Sequence, residues 1–392
     1  EFRRVLFRSV ALLLLVDPAT MSDAGFRLSV LATAGILAWA NPLTARLRGP
    51  APGRARAFLG EALGVSLAAQ APASAAPATK ITYGASAGPV RNDLPQPYRT
   101  TRDWGELPPG VKWAAVTAIE PAPNGILYVI HRCFANSCEG RSEAPILKYD
   151  RNGKLLASWG QGLFLFPHGA TVDRDGNLWV TDARGNGTMG HQVFKFSPDG
   201  KVLMTLGKKG VSASGADGFD QPTDVLVLPN GDILVADSHR NGKNNRIVRF
   251  AKDGKYLREF GTKGSGPGQI SEPHTIAMDS QGRLFVGDRE NNRIQIFDQD
   301  GTFLEQWDQF GGDSSLTIFP DDTLYAVDTY KFKAVFIGDA KTGTVTSKFT
   351  DLSIAEGLAV DPVTRTIYTG EVRPDKIGDM PTGSTVRKLV KQ

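Results

Sequence analysis

The side chains best suited to chemistry are few. Five histidines occur among 392 residues: His131, His168, His191, His239 and His274. Imidazole titrates near neutral pH and is the commonest protein ligand for transition metals. Two of the five share a sequence frame. His168, in Phe166-Pro-His-Gly-Ala-Thr-Val-Asp173, and His274, in Glu272-Pro-His-Thr-Ile-Ala-Met-Asp279, each follow a proline and open an apolar run. Each stands 14 residues before an aspartate, Asp182 or Asp288. The frame also puts Thr223 before Asp237, Ser314 before Asp328 and, with one inserted residue, Glu356 before Glu371. A weaker copy runs from Val116 to His131.

These copies define the elements that must position the histidines. Each reads as an alternating apolar strand, a Gly-containing turn and a second apolar strand, ending at 131, 182, 237, 288, 328 or 371. A third strand and an Asp-Gly turn follow, as in Arg246-Ile-Val-Arg-Phe-Ala-Lys-Asp-Gly254, and then a fourth strand such as Tyr256–Phe260 or Phe303–Trp307. Period-two alternation with Asp-Gly pairs is the signal of antiparallel hairpins. One such four-stranded sheet cannot bury both faces, whereas six packed radially can, and the ring hides most strand edges. The chain is therefore expected to be all-β, with one six-bladed β-propeller over 103–392. Asp182, Asp237, Asp288 and Asp328 recur in four of the six copies, so they are expected to hydrogen-bond at strand ends. Arg246 and Arg293 obey the repeat likewise, and Trp179, Phe194, Phe250 and Phe297 are expected to pack between blades.

A ring turns this frame into geometry. The first strand of each blade lines the central channel, so its leading residue stands at one mouth, near the axis. In blade order these residues are Val116 or Thr117, His168, Thr223, His274, Ser314 and Glu356. His, His and Glu occupy blades two, four and six and are expected to converge. Two imidazoles and a carboxylate with an open position suit catalytic zinc, or Fe(II) or Mn(II). Loops after the second strands open on the same face. From them Arg132 is expected to bind a carboxylate in bidentate fashion and His239 to act as acid or base. His191, before a third strand, is expected on the surface.

These segments resemble the NHL-repeat propellers and, within them, peptidyl-α-hydroxyglycine α-amidating lyase. The motifs that carry the likeness include Phe166-Pro-His-Gly169, Phe219-Asp-Gln-Pro-Thr-Asp-Val225, Gly266-Pro-Gly-Gln269, Glu272-Pro-His-Thr275 and Val286-Gly-Asp-Arg-Glu-Asn-Asn-Arg-Ile294. The resemblance implies a zinc lyase that cleaves the C–N bond of a C-terminal α-hydroxyglycine to give an amide and glyoxylate. It places His168 and His274 on two of three zinc-ligand histidines, and Arg132 and Arg289 on active-site arginines. The third histidine ligand is Glu356 here. The active-site tyrosine is His239, expected to serve as the base. The acidic residue that helps hold a structural calcium in the family is Gly357, so the likeness does not carry the calcium across. Two other readings fit the same residues. One is a non-catalytic propeller presenting Cys133–Cys138, Arg184–Gly190 and Arg240–Asn244 to a ligand or protein. The other is a lactonase-like metallohydrolase, whose axial site is usually richer in oxygen donors suited to calcium.

Composition bounds the partners. Hydrophobic residues make up 41% and charged residues 22%, which excludes a disordered chain and a polytopic membrane protein. The net charge of +4 belongs to residues 1–79, which hold eight Arg and four acidic residues. The remainder carries 37 basic residues (45 − 8) and 37 acidic ones (41 − 4), so no nucleic-acid partner is expected. A small-molecule or peptide C-terminal substrate and a monomeric state are expected instead. In 1–79, basic residues precede the apolar runs Leu28–Ala40 and Phe58–Ala69, and the small-residue tract Ala73–Ala78 follows. This reads as an export signal with an Ala/Pro-rich linker, or an N-terminal anchor, leading through an extended segment, 80–102. A secreted or periplasmic location is expected. Cys133 and Cys138 are the only cysteines and are expected to form a disulfide in that setting, or to stay free thiols in a cytosol.

Overall fold

Every hairpin glycine in the third turns has the same job. Gly200, Gly254 and Gly301 take φ of +84° to +85°, a region that side-chain-bearing residues avoid. In the third blade the Gly254 N–H donates to the Ala251 carbonyl at 2.8 Å, and the pairing shifts register between Arg249 and Phe250. This is a four-residue turn closed by a left-handed glycine and a bulge, the next commonest hairpin after the two-residue turn. A computed structural model describes residues 98–101, 104–350, 355–372 and 386–391. The expectations for residues 1–79, and for the segment up to 97, lie outside the described residues.

These hairpins build six four-stranded antiparallel sheets. Blade one holds β2 (Val116–Ala122), β3 (Ile126–His131), β4 (Ile146–Tyr149) and β5 (Leu155–Trp159). Blade two holds β6 (Pro167–Val172), β7 (Leu178–Asp182), β8 (Gln192–Phe196) and β9 (Val202–Leu206). Blade three is β10 (Pro222–Val227), β11 (Ile233–Asp237), β12 (Arg246–Phe250) and β13 (Tyr256–Phe260). After a short parallel pair, β14 (Thr262–Lys263) and β15 (Gln269–Ile270), blade four is β16 (Pro273–Met278), β17 (Leu284–Asp288), β18 (Arg293–Phe297) and β19 (Phe303–Trp307). Blade five is β20 (Asp313–Ile318), β21 (Thr323–Asp328), β22 (Ala334–Asp339) and β23 (Val345–Phe349).

Blade six joins both ends of the described chain. Its inner strands are β24 (Ala355–Val360), β25 (Ile367–Glu371) and β26 (Val386–Lys391), and its outer strand is β1 (Tyr98–Thr101), with Tyr98 opposite Lys391. The ring therefore begins before 103, because its closing strand lies outside the repeat's sequence frame. The first strands touch in cyclic order, β2 with β6, β6 with β10, and onward through β16, β20 and β24 back to β2.

Packing follows the ring. Six buried apolar clusters each join two consecutive blades. Trp179 and Phe250 share the one between blades two and three, and Phe194 and Phe297 sit in two others, as the repeat implies. The closing aspartates hold strand ends: Asp182 accepts from the Phe166 N–H at 2.6 Å, Asp237 from Asp220 at 2.7 Å and Asp288 from Ser271 at 2.7 Å. Arg246 and Arg293 pair with Asp237 and Asp288. Cys133 and Cys138 are joined as a disulfide in the loop after β3.

Candidate metal centre

All six first strands are bulged at one position. Register shifts fall at Val116/Ala118, Pro167/Ala170, Pro222/Asp224, Pro273/Thr275, Asp313/Ser315 and Ala355/Gly357. The bulged residues are the frame residues themselves, with Thr117 as the representative of blade one. A bulge re-aims its side chain and frees it from the ladder. In odd blades the freed side chain stitches the ring. Thr117 Oγ1 donates to the Pro167 carbonyl at 3.2 Å and Thr223 Oγ1 to the Pro273 carbonyl at 2.5 Å, while Ser314 Oγ, 2.6 Å from Thr329 Oγ1, donates to that hydroxyl, which in turn donates to the Ala355 carbonyl of blade six. In even blades it is His168, His274 or Glu356.

Both frame histidines are oriented by the next blade. His168 Nδ1 lies 2.9 Å from the Thr223 carbonyl and His274 Nδ1 lies 2.8 Å from the Ser314 carbonyl. A carbonyl only accepts, so each Nδ1 carries the proton and each Nε2 keeps its lone pair. Those Nε2 atoms are buried without a hydrogen-bond partner. Burial, reinforced by Arg132 and Arg289, depresses His168 to about 3 and His274 well below its usual value, so both rings are neutral at physiological pH.

The third imidazole comes from a loop. His239, two residues beyond the end of β11, is buried and its Nδ1 has no partner. Its ring centre lies 4.8 Å from that of His168 and 5.8 Å from that of His274, and the first two are 4.6 Å apart. Ligand atoms of His168, His239 and His274 all lie within 4.8 Å of one another. This corrects two expectations. His239 joins the donor cluster instead of standing beside it as a base, and burial with two neighbouring imidazoles and two arginines keeps it neutral. Glu356 stands outside that group, facing two arginines, with its Oε2 buried and without a hydrogen-bond partner. Its Oε2 is 3.6 Å from Arg132 and its Oε1 is 3.4 Å from Arg289. Burial alone would raise Glu356, but Arg132, His168 and Arg289 together hold it below the usual carboxylate range. Three buried imidazoles with unclaimed nitrogens fit a divalent transition metal.

Arg132 and Arg289 both face Glu356 at the same mouth. Burial lowers Arg132 to about 9, which leaves it charged. Its Nε and one terminal nitrogen, and the Arg289 Nε, are buried without hydrogen-bond partners. Arg289 also pairs with Glu272, a residue not singled out in the sequence. Burial raises Glu272 to about 7 even with Arg289 opposing it. Its Oε1 is 3.7 Å from His239 Nε2 and its Oε2 is free of hydrogen bonds. Its signal was available: the corresponding residues before the proline in blades two and three, Phe166 and Gln221, are not acidic. The remaining histidines are structural. His131 bridges the Ala144 carbonyl and the Phe134 N–H. His191, expected on the surface, is buried because its Nδ1 accepts the Gln221 N–H of the next blade. Below the imidazoles the channel continues as a cavity of about 260 Å³ whose wall includes Glu120 and Asp224.

A ring of four-stranded blades with these repeats defines the class. The family description NHL repeat matches residues 164–196, 219–250 and 271–297, and the chain belongs to the NHL-repeat propellers. NHL repeat-containing protein 3 of Homo sapiens is 31% identical over 293 residues, 70% of this chain and 81% of that protein. Peptidyl-alpha-hydroxyglycine alpha-amidating lyase 1 of Drosophila melanogaster is 34% identical over 226 residues, 50% of this chain and 40% of that protein. Peptidyl-glycine alpha-amidating monooxygenase B of Xenopus laevis is 41% identical over 198 residues, 47% of this chain. The chain spans 22% of the monooxygenase and less than half of the lyase. Among solved structures, XC5397 of Xanthomonas campestris, described as a gluconolactonase, matches with a TM-score of 0.51 and 13% identity over 75% of this chain and 90% of that one, a likeness of fold alone. A different family description, Competence protein, matches residues 2–87.

Proposed function

We propose that this propeller is a zinc-dependent lyase that cleaves N-acyl α-hydroxyglycines to an amide and glyoxylate. The observation that carries this reading is the convergence of three neutral imidazoles beside arginine N–H groups that have no partner. The similarity to a protein named as an amidating lyase supports it. His168, His239 and His274 would hold the metal, which supplies Lewis acidity toward a substrate oxygen. Arg132 and Arg289 receive the substrate carboxylate, since each keeps an unclaimed N–H in a buried setting where such a bond is strong. Glu272, whose buried Oε2 has no hydrogen-bond partner, is placed to take up a proton. It accepts the hydroxyl proton as the carbinol C–O becomes C=O. The C–N bond breaks with its electron pair going to nitrogen, and that nitrogen takes up a proton to leave as the amide. Export fits the Cys133–Cys138 disulfide, which persists in oxidising compartments.

Glyoxylate release from N-benzoyl-α-hydroxyglycine tests the reading. The zinc-loaded protein is expected to turn it over, to stop after chelator dialysis, and to recover when zinc returns. Absence of glyoxylate from fully loaded protein would overturn it.

A further inference from the structure

Two residues past the second strand, blades two, three and five carry Arg184, His239 and Tyr330. His239 belongs to the donor cluster, and Arg184 shares the Phe166 ring with Arg132. Tyr330 reaches the same mouth from the opposite side of the ring of blades. The centre of its aromatic ring lies 5.3 Å from the guanidinium carbon of Arg289, within the range of a cation–π contact. Its loop is held on both sides. Thr329 is buried with its Oγ1 donating to the Ala355 carbonyl, and the Phe332 N–H donates to Asp328. Tyr330 between them is nonetheless 41% exposed. Other exposed large apolar side chains, Leu156, Leu203, Leu257 and Leu304, lie on the outer strands β5, β9, β13 and β19, far from any such partner in the site. Among the described residues no hydrogen bond fixes the Tyr330 hydroxyl, so what the loop presents is the ring.

We infer that Tyr330 is a specificity-determining residue whose exposed ring receives the acyl group of the substrate, selecting flat aromatic acyl groups over small aliphatic ones. This rests on the proposed function only for the carboxylate, which Arg132 and Arg289 hold. In an N-acylglycine the first carbon of the acyl substituent lies about 3.8 Å from the glycine Cα. With the carboxylate at Arg289, a substituent one ring long therefore reaches the aromatic ring beside that arginine. Aromatic pairs in offset or edge-to-face contact gain more than their buried area alone supplies, and a ring already ordered by its loop loses little freedom on binding.

Calorimetric binding of two unreactive analogues, N-benzoylglycine and N-acetylglycine, to the zinc-loaded protein tests this without turnover. The wild type is expected to bind the benzoyl compound at least about tenfold more tightly, the factor of one aromatic contact with its buried area. In Tyr330→Ala that ratio is expected to fall below about twofold, and in Tyr330→Phe to persist, with circular dichroism as the check on folding. A ring that merely props Arg289 would weaken both analogues alike in Tyr330→Ala and leave the ratio unchanged. No preference in the wild type, a ratio that survives in Tyr330→Ala, or its loss in Tyr330→Phe overturns the inference. Glyoxylate release from the two matching α-hydroxyglycines is read separately. A Tyr330-dependent preference without release sinks the lyase reading alone, and release without the preference sinks this inference alone.

Discussion

Gly169 shows how closely the donor cluster depends on single atoms. A Cβ there would lie 2.3 Å from the Thr223 carbonyl oxygen, the atom that fixes His168 Nδ1. Gly169→Ala must push β10 away and release that imidazole. The expected cost is about 1–3 kcal/mol of stability, from overpacking, and roughly 10–100-fold in metal affinity, as for other lost partners of ligating histidines. Urea unfolding and metal titration measure the two, and an unchanged affinity would mean that the carbonyl does not orient the ring. Asp224 offers a test by pH. Burial raises its carboxyl to about 7, against about 4 unfolded, so folding takes up a proton between those values. The resulting stability is complete below about pH 4 and is lost as pH rises through about 7. Asp224→Asn removes this term, so its melting temperature should fall less than that of the wild type between about pH 5 and 8. Parallel curves would contradict the assignment.

At the scale of elements, the first-strand bulge and the loop after the second strand divide the labour. The bulge was legible as a phase: the prolines, the 14-residue spacing and the alternation located His168 and His274 at the axis. The loops were not. His239 reaches the cluster from a β11 exit whose path depends on Gly242, whose N–H donates to the His239 carbonyl at 2.9 Å. A strand-based frame has no register for that. Glu356 was misplaced for the converse reason, since it obeys the phase but its partners are arginines from two other blades. The disulfide pins the loop that carries Arg132. In the chain-entropy account, closing so short a loop contributes about 2 kcal/mol. Cys133→Ser/Cys138→Ser should lose about that much in urea unfolding and weaken N-butyrylglycine binding through Arg132. Full stability would show the loop to be held by its other contacts.

For the whole molecule, the site exists only because the ring closes. Donors at 168, 239 and 274 come from three consecutive blades, and the arginines and Glu356 extend the set to blades one and six. The six repeats made closure predictable, but not the strand that completes it: β1 has no counterpart in the repeat, and only its pairing with β26 reveals its place. Tyr98 is buried against Phe349, with ring centres 5.0 Å apart, in the cluster joining blades five and six. Tyr98→Ala should cost about 3 kcal/mol, as for other buried aromatics, in the urea transition of the entire propeller. A loss confined to a small separate transition would mean that blade six is not part of one cooperative unit.

The central claim is that three imidazoles, and not two with a carboxylate, hold one ion. Elemental analysis of metal in His168→Ala, His239→Ala, His274→Ala and Glu356→Gln addresses it directly, with circular dichroism confirming the fold of each. The prediction is about one equivalent of metal in the Glu356 variant and under about a tenth in each histidine variant. Full occupancy in His239→Ala together with loss in Glu356→Gln would contradict it.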